Sequence, residues 1–273
     1  MHLEKATVLA LIGCTGNNTS INISPKISEN YSDQGRTAIF TDMTSYLNNY
    51  GCGVSSIDVK IGNAPDIGPE TMATGDSVIV DFYIPSKNNP DYIAELSRTA
   101  RHEAAHACVN PNSFQRFAQP YKLYSATPQY AVGIEGFDVI VEFDGKSTAF
   151  RKIEEGVAEY LAAKSNPDTH IIDSPDYYGL AIVTQFLAAK YFDGNSKNMS
   201  SLLHESKLLE FAGTITGNSN PDMRDVETIM QLYNLIYDAT VNSENPDPVI
   251  SFIINGIQKY VSVEGFLNSV RGQ

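Results

Sequence analysis

Ser97-Arg98-Thr99-Ala100-Arg101-His102-Glu103-Ala104-Ala105-His106-Ala107-Cys108 is the stretch from which the rest of this 273-residue chain is best read. It contains two of the five histidines, four residues apart. On an α-helix, side chains at that spacing lie roughly 40° apart around the axis and about 6 Å apart along it. His102 and His106 therefore face the same way, one turn apart, and can grip one metal ion together. Glu103 sits about 100° round from His102, so its carboxylate reaches a water beside that ion without being a ligand. Two imidazoles that hold zinc, and a carboxylate that takes a proton from water, are what metal-assisted hydrolysis requires.

The reading demands a helix, and the flanks supply one. Asn89 fits the N-cap, Pro90 the first helical position, and Asp91 the positive end of the helix dipole. Ile93, Leu96, Ala100, Ala104 and Ala107 recur at helical spacing, and Pro111 marks the end. The run Ser77 to Ile84 reads as a preceding strand.

A catalytic zinc usually takes three protein ligands and leaves one position open. Downstream comes Lys152-Ile-Glu-Glu-Gly-Val-Ala-Glu-Tyr-Leu-Ala-Ala163, helical by the spacing of Ile153, Val157, Tyr160 and Leu161. Its Glu155-Gly156-x-Ala158-x-Tyr160, together with the upstream His-Glu-x-x-His, resembles the gluzincin branch of the zincin metallopeptidases. The resemblance covers roughly residues 77 to 205 and rests on these two helices. It implies that Glu155, 49 positions after His106, is the third zinc ligand. It also implies that Glu159 steadies a ligand histidine, although Glu stands where the thermolysin-like pattern has Asp. Glu154 is the alternative ligand, about 100° away on the same helix. The metzincin extension is excluded, because Val109 and Asn112 occupy the positions that would need Gly and His.

By the same resemblance, Zn2+ is the cofactor, Glu103 the general base, and a peptide or protein the substrate. A Tyr or His beyond the third ligand would steady the oxyanion. Tyr178, Tyr177, His170 and His204 are the candidates, with Tyr178 preferred as the Tyr opening the next helix. Two other readings stay open. One is a catalytically inactive zincin-fold envelope lipoprotein with a binding or structural role; the other is a metal-free surface lipoprotein in which the motifs coincide.

At the start of the chain, Lys5 precedes an apolar run from Ala6 to Ile12, and Leu11-Ile12-Gly13-Cys14 resembles a bacterial lipobox. This implies a signal peptide over residues 1–13 and a membrane anchor through lipid on Cys14 in the cell envelope. The run is too short to span a bilayer, which takes about 20 residues. A buried N-terminal strand is the competing reading. The polar stretch 14–34 suits a flexible tether, leaving 35–273 as the globular part.

That part is large enough for a sizeable core, and no linker or repeat divides it. The expected fold class is α+β, zincin-like: a small mixed or antiparallel sheet with the His-Glu-x-x-His helix, then a mainly helical C-terminal half. A helix is expected over 37–50, closed by Gly51, with strands near 55–61 and 78–84. Segment 111–150 reads as turn-rich, with one possible hairpin at 137–143. Further helices are expected at about 176–192, 198–212, 222–240 and 249–269. The net charge of −13 argues against nucleic acid and against electrostatic docking on anionic lipid. Cys52 and Cys108 can pair in an oxidising compartment, but sequence alone leaves the pairing open, and Cys108 otherwise reads as a small buried thiol.

Overall fold

A computed structural model describes residues 10–11, 19–23, 33–62, 70–74, 77–83, 92–123, 129–166, 177–243, 245–260 and 262–271. Its contacts divide the chain into two compact units: Met1–Pro111 with Leu161–Thr169, and Asn112–Tyr160 with His170–Gln273. The fold is mixed α+β, with nine α-helices and two sheets among the described residues.

The first unit is built on a mixed five-stranded sheet. Strands β1 (Ala10–Leu11), β2 (Ser20–Ile23), β3 (Ser56–Gly62), β4 (Glu70–Thr74) and β5 (Ser77–Tyr83) lie in the order β1-β2-β3-β5-β4. The centre, β2-β3-β5, is parallel, and β1 and β4 add antiparallel edges. Parallel neighbours need a crossover. Helix α1 (Asp33–Tyr50) lies between β2 and β3 in the chain and provides it. Its Ile39, Met43, Tyr46 and Leu47 form a buried stripe at helical spacing. Gly51 closes it at φ 74°, its N–H donating to the Leu47 carbonyl at 2.8 Å, as the glycine suggested. Ile57, Val59 and Val80 are fully buried, which fixes the register of the central pair, because a slip by one residue would turn them out.

Ser20–Ile23 falls inside the stretch read above as a tether. These residues pair in parallel with Ser56–Val59, and Ile21 is fully buried, so a free tether does not describe them. The polar run conceals one apolar residue, Ile21, that the sheet buries. Most of the tether and the lipobox residues Ile12 to Cys14 lie outside the described residues.

Helix α2 (Tyr92–Ala107) carries the opening motif and packs against α1, β4 and β5. Its expected N-cap, Asn89, lies outside the described residues. The Cys52–Cys108 disulfide, with Cα atoms 4.7 Å apart, joins the chain just after α1 to the chain just after α2. That answers the open pairing.

The second unit corrects the turn-rich reading of 111–150. That segment forms an antiparallel sheet of β6 (Gln115–Lys122), β7 (Tyr130–Glu135), β8 (Asp138–Phe143) and β9 (Lys146–Phe150), in chain order. Strand β6 gave little signal because it is largely exposed and contains Pro120. The β8–β9 hairpin turns on Asp144-Gly145, both at positive φ, which a two-residue turn of this kind demands. Helix α3 (Lys152–Ser165) follows, and the division between the units runs through it at Tyr160 and Leu161.

Helices α4 (Tyr178–Tyr191), α5 (Ser196–His204), α6 (Leu208–Thr216), α7 (Met223–Val241), α8 (Asp247–Lys259) and α9 (Val263–Arg271) complete the second unit. The expected single helix at 198–212 is two helices, because Ser206 takes a positive φ of 54°. The one at 249–269 is likewise α8 and α9. Helix α7 starts where Asp222 and Asp225 form a capping box.

Candidate metal centre

The two histidines of α2 converge as their spacing requires. His106 Nε2 lies 3.1 Å from His102 Nε2, with ring centroids 4.8 Å apart. Two nitrogens about 2.0–2.1 Å from one tetrahedral zinc are about 3.3 Å apart, so the pair already stands close to the bite a zinc ion needs. His102, His106 and Glu155 each offer one ligand atom, and these atoms lie within 4.8 Å of one another. Two imidazole nitrogens and one carboxylate oxygen suit zinc or a neighbouring first-row ion. The donor set fits a metal ion; its identity is a separate matter.

Burial grades across the group. His102 and Glu103 are buried, at 8% and 5% exposure, while His106 and Glu155 are half-buried. The ligand atoms thus have a protein side and a side that solvent can approach. Glu159, one turn beyond Glu155, is almost fully buried.

Glu154, the alternative, has a backbone partner of its own. Glu154 Oε2 accepts the Phe137 backbone N–H at 2.7 Å, which ties the first turn of α3 to the β7–β8 turn. Beside it, Gly136 N–H donates to Ser206 Oγ at 2.7 Å. The neighbouring Glu135 carboxyl is held above its usual range by burial and by Glu154. A small residue is needed after Glu155: a Cβ at Gly156 would stand 2.8 Å from the Tyr233 ring and 3.0 Å from both Leu180 Cβ and Thr184 Oγ1. Tyr233 is fully buried and its hydroxyl lies 2.7 Å from Thr184 Oγ1, so the ring cannot give way cheaply.

Sequence reasoning missed what fixes the other end of α3. Arg101, the residue before His102, is fully buried. Its guanidinium pairs with Asp42 on α1, and its Nε donates to the Ala162 carbonyl on α3 at 3.1 Å. Asn49 Nδ2 donates to the Ser165 carbonyl at 3.1 Å, which joins α1 to the end of α3. An arginine within a helix reads as a surface charge, so nothing in the sequence marked it.

The oxyanion candidates fare differently. The Tyr178 hydroxyl donates to Asp247 Oδ1 at 2.9 Å, and that bond raises its pKa, so the preferred candidate already has a partner. His204 ends α5 and is buried, which pushes its pKa down to about 4. Tyr177 is half-buried, and His170 lies outside the described residues.

No helix among the described residues is long and apolar enough to cross a membrane. No protein-family model, curated protein or solved structure matches the chain.

Proposed function

We propose that this chain is a zinc-dependent peptidase of zincin type. The observation that carries the reading is the convergence of His102, His106 and Glu155, next to a buried Glu103. Zinc held by those three residues would supply a Lewis acid that brings the pKa of a water towards about 7 and polarises a peptide carbonyl. Each imidazole would hold the metal through Nε2, the atom that faces its neighbour, and would then keep its own proton on Nδ1. Glu103 takes a proton from the attacking water as the oxygen adds to the carbonyl carbon, then returns it to the leaving amine. Glu159 restrains a ligand histidine from one turn further along α3.

Residence in an oxidising compartment is part of the proposal, and the Cys52–Cys108 disulfide supports it. Lipid on Cys14 would then anchor the protein to the envelope. The pairing of Ala10 and Leu11 with Ile21 and Ser20 favours the competing reading, in which this segment stays in the mature protein as an edge strand. The mass of the mature N-terminus separates the two, since cleavage before Cys14 removes β1.

The catalytic reading is tested with Glu103→Gln. The variant is expected to keep about one zinc per chain and to lose peptide hydrolysis by roughly 10²- to 10⁴-fold. Full activity in the variant would rule out the mechanism. Zinc uptake unaltered in Glu155→Ala would rule out the ligand set.

A further inference from the structure

We infer that Arg101 is the positioning residue of the metal centre, setting the roll of α2 against α3 so that the histidines meet Glu155. This rests on the metal-centre reading above. Arg101 directly precedes ligand His102 and carries a charge in a fully buried position. A buried ion pair stabilises a fold no better than well-packed apolar residues of the same size, so stability alone does not account for the Arg101–Asp42 pair. A guanidinium adds direction. It is a planar, rigid fork whose donors leave at fixed angles. Here one arm meets Asp42 on α1 and Nε meets the Ala162 carbonyl on α3.

The accepting carbonyl stands in a telling place. Ala162 is seven residues after Glu155 on one continuous helix, hence about 10 Å along it and only about 20° round. Arg101 therefore holds the last turn of the helix that carries Glu155, at a carbonyl that also accepts the Ser165 hydroxyl at 2.8 Å. The grip matters because metal sites tolerate little error. A histidine Nε2 stands about 7 Å from its helix axis, so a 10° roll of α2 moves it by about 1 Å, whereas metal–ligand distances are held within about 0.2 Å. The Cys52–Cys108 bridge tethers α2 at its end, where it acts as a pivot. The Asn49 bond to Ser165 joins α1 to α3 and leaves the roll of α2 unset.

The test uses the full chain and the metal alone. Wild type and the double variant Asp42→Leu/Arg101→Met are stripped of metal, and their unfolding midpoints are measured. Both are then titrated with Co2+, whose visible absorption reports ligand geometry. The expected result is a metal-free midpoint within a few degrees of wild type, a Co2+ affinity lower by about 10- to 100-fold, and shifted absorption bands. Wild-type affinity and bands in the double variant would overturn the inference. So would a metal-free midpoint that collapses in step with affinity, because that marks a structural residue only. Should the double variant not fold, Arg101→Lys decides on the same readouts. It keeps the charge beside Asp42 and lacks the fork to Ala162, so a wild-type spectrum overturns the inference and a shifted one supports it. Wild type that takes up neither Co2+ nor Zn2+ removes the metal-centre reading itself, a failure distinct from that of Arg101.

Discussion

The two helices that carry His102, His106 and Glu155 are held by different physics. Helix α2 is fixed by directional and covalent links: the Cys52–Cys108 disulfide at its end and the buried Arg101 beside His102. The turn of α3 that carries Glu155 is fixed mainly by shape. Gly156 lets it settle against Tyr233, Leu180 and Thr184, and Glu154 ties it to the Phe137 N–H. Links of the first kind break when a bond is cut. A seat of the second kind fails by degrees, as atoms are added or the packing beneath loosens. The same ligand set should thus be lost in two distinguishable ways.

The sharpest way to break this contrast is to remove the disulfide. Cys52→Ala/Cys108→Ala should lower stability by about 2–4 kcal/mol, since the bridge closes a loop with a separation of 56 residues. Denaturant unfolding measures it. A stability unchanged within error would show that α2 needs no covalent stop.

Acid loads the other side. His204 ends α5 two residues before Ser206, whose hydroxyl accepts the Gly136 N–H beside the α3 anchor at Phe137. Burial lowers its pKa to about 4, against about 6.5 in an unfolded chain. Above pH 6.5 both states are neutral and the fold keeps its full stability. Between pH 6.5 and about 4 the unfolded chain takes up a proton that folded His204 does not, so stability falls as the pH drops, by roughly 3 kcal/mol in all. In His204→Leu that part of the pH dependence should vanish. An identical pH–stability profile in the two proteins would contradict the burial argument.

The smallest effect tests the seat itself. Gly156→Ala gains up to about 1 kcal/mol of helix propensity but overpacks a fully buried ring, at about 1–3 kcal/mol. A net loss of about 1 kcal/mol is expected by thermal unfolding. A stabilised variant would mean that α3 is not held by close approach.

What the sequence disclosed follows the same divide. Positions that obey local rules were legible. The four-residue spacing of His102 and His106 placed them on one face, Gly51 closed α1, and the apolar spacing of Ile153, Val157 and Leu161 marked α3. Glu155 was legible through resemblance, whereas the bond of Glu154 to the Phe137 N–H was not. Features that depend on distant partners were not legible. Arg101 and Ala162 are 61 residues apart, and Asp42 and Arg101 are 59 apart. Strand β6 shows no alternation because little of it is buried. The break between α5 and α6 is made by Ser206, a residue with no special liberty at positive φ, so no glycine announced it.

The membership of the first unit bears on how the protein is made. That unit takes Met1–Pro111 and then waits for Leu161–Thr169. At about 5–20 residues per second, the stretch between takes a ribosome several seconds to add. Throughout that interval Arg101 has been synthesised and the carbonyl of Ala162 has not. The nascent first unit therefore lacks the Arg101–Ala162 bond while the β6–β9 sheet is translated. His102, His106 and Glu155, the group that could hold a metal ion, exist together only after Glu155 has emerged, later than that sheet.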